Sequence, residues 1–333
     1  MNKSKLLTWG LIIILLALGA CVWFMFGGIN IGSAFSYANA EKYTAGDTVI
    51  TSPVEALDVN WTEGFVKIEY HAGSDIRVSE TSPKQLSDDN RLHWWLDGTT
   101  LRIQYARAGI NLTWNLQKTL TVSLPEGTVL KSAGIKATSA DMTVSGLVAE
   151  EIHLISTSGN ITASTVTPKL EVVTTSGDQN IRQDSVIDTV SLGSTSGNIS
   201  CILDVAGNVK IESTSGGIGL TVTDAADTVQ MGSTSGNVYP SLASVNKADF
   251  SSTSGTITAV IGAFSDLKIN STSGNVTATL PGTPGFTGSI SSVSGSFSSD
   301  LQLAKSGKTY TCGDGSGTVS IGTTSGDIRI LAE

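Results

Sequence analysis

A Ser-Gly pair, most often written Ser/Thr-Thr-Ser-Gly-Asn/Asp, returns along this chain at intervals of 18 to 22 residues. Its glycines are Gly159, Gly177, Gly197, Gly216, Gly236, Gly255, Gly274, Gly295 and Gly317, and a last one follows at Gly326. A fixed period of this length marks stacked repeats, in which each unit buries its apolar face only against its neighbours.

Aligned on the glycine, both flanks alternate with a period of two. Five residues before it stand Leu154, Val172, Leu192, Ile211, Met231, Phe250, Ile269, Ile290 and Cys312; two after it stand Ile161, Ile199, Ile218, Val238, Ile257, Val276, Phe297 and Val319. Alternation on both sides predicts two strands per repeat, each with one buried face. Further breakers fall half a period on, at Pro168-Lys169, Gly207-Asn208, Asn246-Lys247, Pro281-Gly282 and Ser306-Gly307. A parallel β-solenoid of about 19 residues per coil and an antiparallel meander both fit this order. The solenoid is favoured because it gives the same three corner residues a common task.

That task predicts a structural corner built from Ser158 and Gly159, Ser176 and Gly177, Ser196 and Gly197, Ser215 and Gly216, Ser235 and Gly236, Ser254 and Gly255, and Ser273 and Gly274. The serine hydroxyls would point inward and bond along the stack. The glycines would supply the positive φ of a sharp turn, and the following Asn or Asp would tolerate its geometry. Thr157, Thr195, Thr214, Thr234, Thr253 and Thr272 would form an outward column.

Upstream the period degrades. Gly64 has Leu57 and Val59 before it and Val66 and Ile68 after it, and Ala140 lies 19 residues before Gly159. Residues 51–135 otherwise read as irregular strands, with a hairpin at Asp97-Gly98, and suit the atypical unit that covers a solenoid's first coil. The tryptophans Trp61, Trp94, Trp95 and Trp114 are expected in that cap. The C-terminal Asp327-Ile328-Arg329-Ile330-Leu331 shows no cap, so an unpaired last coil and end-to-end self-association are expected there.

Lys3 and Lys5 precede an uncharged apolar run from about Leu6 to Phe26. Roughly 20 such residues span a bilayer as a helix, and positive charge before them keeps the N-terminus cytoplasmic. Three forms of export stay open: a retained signal anchor, lipidation at Cys21 within Leu18-Gly19-Ala20-Cys21, or cleavage after Ala38-Asn39-Ala40. The remaining chain has 18 basic and 29 acidic residues, so neither nucleic acid nor an anionic membrane face attracts it.

Little in the sequence suggests catalysis. Cys201 and Cys312 would lie five to six coils apart, about 25 Å at ~4.8 Å per coil, too far for a disulfide, and both read as small buried residues. His71, His93 and His153 have no Cys, His or carboxylate at ligand spacing, so no metal or cofactor is expected. Gly313-Asp314-Gly315 reads as a turn rather than a calcium loop. Charged residues such as Lys169, Arg182, Lys210, Lys247 and Lys268 look scattered rather than gathered on one face.

Ala56-Leu57-Asp58-Val59 through Gly64-Phe65-Val66-Lys67-Ile68, Leu120-Thr121-Val122-Ser123-Leu124-Pro125 and the Thr-Ser-Gly-Asn-Ile corners resemble the bacterial putative-adhesin family of domains of unknown function, which includes LiaG-like and YvlB-like envelope proteins. The resemblance covers roughly residues 50–331. It implies a β-rich surface domain, often linked to envelope stress, without an established active site. The expected organisation is a membrane anchor or signal segment over 1–28, a linker over 29–50, an irregular β cap over 51–135 and the repeat solenoid over 136–333. The expected role is structural or binding, adhesin-like and non-catalytic, at the cell envelope, with cell-wall polymer or an envelope protein as partner. The alternatives are a stress sensor or regulator acting through a membrane partner and a polysaccharide-active β-helix enzyme.

Overall fold

The computed structural model describes residues 39–109 and 115–333. The apolar N-terminal run, Cys21 and Trp114 lie outside the described residues. Among the described residues, no helix is long and apolar enough to cross a membrane.

The described residues are all-β, and successive coils pair in parallel and in register. Ile199, Ile218, Val238, Ile257 and Val276 are consecutive ladder partners on the strand following the corner. Val209, Val229, Ala248 and Leu267 are partners on the strand preceding it. The expected alternation is therefore the packing itself: Leu154, Val172, Ile211, Met231, Phe250 and Ile269 are all fully buried. In the middle of the stack each strand runs unbroken through the second corner, as in Ile199–Ser213, Ile218–Ser233 and Val238–Ser252. A register shift between Leu203 and Val205 marks the bend there.

Spatial order departs from chain order at the C-terminal end. Phe286–Ser292 does not follow Ile257–Ser271 in the ladder; Gly317–Thr323 lies between them and pairs with both. On the second sheet Ile328–Ala332 likewise enters between Val276–Leu280 and Phe297–Ser299. The chain skips one slot, makes the outermost coil, reverses through a hairpin of Ala304–Ser306 and Thr309–Cys312, and returns to fill the slot. This corrects four expectations. Gly317 is not a corner, and Gly326 takes that position. Ser306-Gly307 is the tip of the hairpin, with Gly307 at φ 61°. Cys312 faces Phe286 on the hairpin, and Ile321 fills the apolar column instead. The strand expected to lie unpaired at the C-terminus has a neighbour on each side.

The opposite end has the same arrangement. Ala56–Trp61 lies between Thr100–Gln104 and Leu130–Ala137, and Phe65–His71 between Thr119–Pro125 and the start of Asp141–Ser156. The earliest coil is thus second in the stack. Antiparallel strands Ile76–Thr81 and His93–Asp97 add beyond these coils, the latter joined through the predicted hairpin at Asp97-Gly98, and are bordered in turn by Thr48–Ile50 and Thr44–Ala45. Trp61 is buried there, while Trp94 and Trp95 are half-buried.

Candidate functional site

The predicted corner residues share one column, but for different reasons from those expected. None of the glycines from Gly159 to Gly274 in that column has a positive φ. Glycine is needed there because the turns stack backbone on backbone: a Cβ on Gly216 would sit 2.0 Å from the Gly197 carbonyl oxygen, and one on Gly236 1.9 Å from that of Gly216. The column ends with Gly274, Gly326 and Gly295 in that spatial order, a Cβ on Gly295 meeting the Gly326 oxygen at 2.0 Å.

The serines directly before these glycines, Ser158, Ser176, Ser196, Ser215, Ser235, Ser254 and Ser273, are exposed, which corrects the inward reading. The buried hydroxyl stands three residues before the glycine. Ser156, Ser213, Ser233, Ser252 and Ser271 each accept the glycine N–H at 2.8–2.9 Å, closing the turn from inside. The Asn/Asp position carries a ladder absent from the sequence reading. Asn160 Nα–H donates to Asp141 Oδ1 at 2.7 Å, Asp178 to Asn160 at 2.9 Å, and Asn198 to Asp178 at 2.7 Å. These residues hold the fold together and leave little for a ligand. The Thr column is outward, as expected.

Chemistry gathers instead on the outer face of the sheet preceding the corner. The register aligns Trp95, Arg102, Asp58, Gly134, His153 and Glu171 in one row across six strands. Gly134 leaves a gap in this row. The gap opens into a groove of about 520 Å³ lined also by Ala56, Leu57, Ser132, Lys136, Glu151 and Ile155. On one side Arg102 Nη1 donates to Asp58 Oδ2 at 2.6 Å and its Nε to Asp97 Oδ2 at 3.1 Å. On the other, His153 Nδ1 meets Glu171 Oε2 at 2.8 Å, and its Nε2 lies 3.5 Å from Glu151 Oε2. Lys169 reaches Glu151 at 3.2 Å. The Lys169 ammonium, then His153, hold the Glu151 carboxyl below the usual carboxylate range. Lys136 has no ion-pair partner among the described residues. The expectation of an isolated His153 and scattered charges fails here. Asp58, His153 and Glu171 share one offset from their corners, a signal legible in the sequence once the columns are aligned.

The other two histidines serve turns. His71 Nδ1 accepts the Gly73 N–H at 3.1 Å, so its Nε2 donates to the Asp75 carbonyl at 2.7 Å. His93 is buried with Nδ1 2.9 Å from the Arg91 carbonyl. Asp314 accepts the Ser316 N–H between two glycines of positive φ, a turn as expected. No cluster of three or more potential metal ligands occurs among the described residues.

A family profile, Toastrack DUF4097, matches residues 54–266 and 261–331, which is nearly all of the stack. The chain belongs to the Toastrack family. Both groove and corner column of this Toastrack chain fall within the matched residues. No curated protein matches it. Similar solved structures include a putative adhesin from Parabacteroides distasonis ATCC 8503, 12% identical over 85% of this chain and 95% of that one, with a TM-score of 0.43. Another from Parabacteroides merdae ATCC 43184 is 12% identical over 86% and 96%, also at 0.43. A putative cell adhesion protein from Clostridium sporogenes ATCC 15579 is 11% identical over 87% and 100%, at 0.22.

Proposed function

We propose that this Toastrack chain is a non-catalytic, adhesin-like binding domain held at the bacterial cell membrane by its N-terminal apolar segment, with the stack on the extracytoplasmic side. The observation that carries the binding reading is the groove over Gly134, where polar groups from five neighbouring strands converge on a concave surface. The carboxylates of that groove are engaged with cations or with His153, and Glu151 is held low. A glycosidase needs the reverse in one of its carboxyls, an acid raised so as to stay protonated. The apolar run after Lys3 and Lys5 supports anchoring.

Protease treatment of intact cells tests the placement. The stack should be accessible from outside and should sediment with membranes; recovery in the cytosolic fraction would overturn it. Incubating the full-length chain with cell-wall material, teichoic acid and membrane extract tests the binding role, which requires saturable capture of one of them.

A further inference from the structure

Gly134 has no structural reason to be glycine. Its φ is not positive, and a Cβ built there meets nothing closer than the Leu57 carbonyl oxygen at 3.9 Å. The corner glycines, by contrast, are held to glycine by contacts of about 2 Å. What Gly134 does is keep the groove open between Asp58 and His153. Their strands are two ladder spacings apart, ~10 Å from backbone to backbone.

We infer that this groove binds a neutral, hydroxyl-rich saccharide, an assignment that rests on the binding role proposed above. Charge on the lining is near balance: Asp58, Glu151 and Glu171 face Arg102 and Lys136, with His153 between. Acceptors and donors therefore both line the rim. Sugar hydroxyls both donate and accept, so such a rim can satisfy several of them together. The unpaired Lys136 ammonium is a donor that the fold leaves free. The groove's apolar surface comes from Ala56 and Ile155, which stand in the rows on either side of the bare backbone at Gly134, and suits the C–H face of a pyranose ring. The volume falls in the ~300–1,000 Å³ range of small-ligand sites. A polyanion fits poorly because the groove carries no excess of positive charge and the chain has net charge −9. A cationic peptide fits poorly because each carboxylate already has a partner.

The test titrates chitotriose, cellotriose and maltotriose into the full-length chain in a zwitterionic detergent without a sugar headgroup. Trigalacturonate and trilysine are the charged counterparts. At least one neutral trisaccharide should bind saturably and more tightly than either charged probe. Gly134→Trp, which fills the gap, and Glu171→Gln should each weaken it at least about tenfold. Ser191→Trp, in the same row one strand beyond Glu171, should leave it unchanged. The thermal midpoint of each variant shows whether a loss is local or comes from unfolding. Absence of binding by all three neutral sugars, tighter binding of a charged probe, or a folded Gly134→Trp that binds like the native chain would each overturn the assignment. Envelope material separates the two levels. Capture by the native chain that persists in Gly134→Trp removes the groove assignment and leaves the binding role, whereas no capture by the native chain removes both.

Discussion

Glycine at the corner is required by distance rather than by dihedral angle, and this makes a sharp prediction. In Gly216→Ala the new methyl group would overlap a backbone carbonyl that cannot rotate away. The cost should be at least ~1–3 kcal/mol, read as a drop in the denaturant midpoint. Ser213→Ala should cost about 1 kcal/mol, because it leaves the buried Gly216 N–H without its acceptor. Ser215→Ala, on an exposed side chain, should stay within about 0.5 kcal/mol. The opposite ranking of the two serines would restore an inward Ser215. Alternation explains why the sequence misled at this point. The inward positions before the corner are seven, five and three residues ahead of the glycine, so Ser213 continues the set that contains Val209 and Ile211. Continuing the same step to Ser215 ignores the turn, which moves the inward set onto the glycine itself. The groove residues were equally legible in principle, yet His153 and Glu171 lie 18 residues apart and meet only through register.

Among the elements, the N-terminal end holds the most unusual interior. Lys118 takes the corner position in the outermost coil, where its carbonyl accepts the Phe65 N–H at 2.9 Å. Its ammonium is fully buried against Glu80 at 2.6 Å and donates to the carbonyls of Asn90 and Tyr105. The rings of Trp61 and Tyr105 lie 4.9 and 4.3 Å away. The Tyr105 hydroxyl donates to Glu63 at 3.0 Å, and burial, followed by that carboxylate, pushes the phenol well above its usual value of 10.0. Above pH 10 the unfolded chain loses the Tyr105 proton while the native state keeps it. Stability must therefore fall with rising pH, by up to ~1.4 kcal/mol per unit from this group. Lys118 acts in the other direction: burial lowers its pKa, so stability rises with pH from its folded value up to the unfolded value of 10.5. Tyr105→Phe should cost about 1 kcal/mol at neutral pH and flatten the decline above pH 10.5. Equal alkaline slopes in native and variant chains would contradict the role given to Tyr105. The aromatics of this region mark a cap in the sequence, but nothing in it pairs Lys118 with Glu80, 38 positions earlier.

At the scale of the molecule, the period dictated the stack while the order of its coils stayed hidden. Ser-Gly pairs at Gly317 and Gly326 are only nine residues apart, too close for both to be corners of successive coils. The surplus residues between Gly295 and Gly326 form the hairpin that sends the chain back. Gly288 records the result, since a Cβ there would lie 1.7 Å from the Val319 carbonyl oxygen. Cys201 is wholly buried, and burial drives its thiol up to about 12. Cys201 and Cys312 are both unpaired. Thiol labelling of the unfolded, unreduced chain should therefore find both free; an intrachain disulfide between them would break the stack. The returning coil also changes the view of the ends. The last strand in sequence is held between two neighbours, so shortening the chain from that end removes an internal layer rather than an outer one.

The order of the coils is tested most directly with paired cysteines on exposed, outward positions. Lys268 and Ser320 are register partners, and so are Ser320 and Ser289. Lys268 and Ser289 are therefore two strands apart, ~10 Å, beyond the reach of a disulfide. Oxidation of the Lys268→Cys/Ser320→Cys double variant should give an intrachain disulfide, mapped by mass spectrometry, and Lys268→Cys/Ser289→Cys should not. A disulfide in the second variant and none in the first would mean that the coils stack in chain order, contradicting the returning strand on which this account of the fold depends.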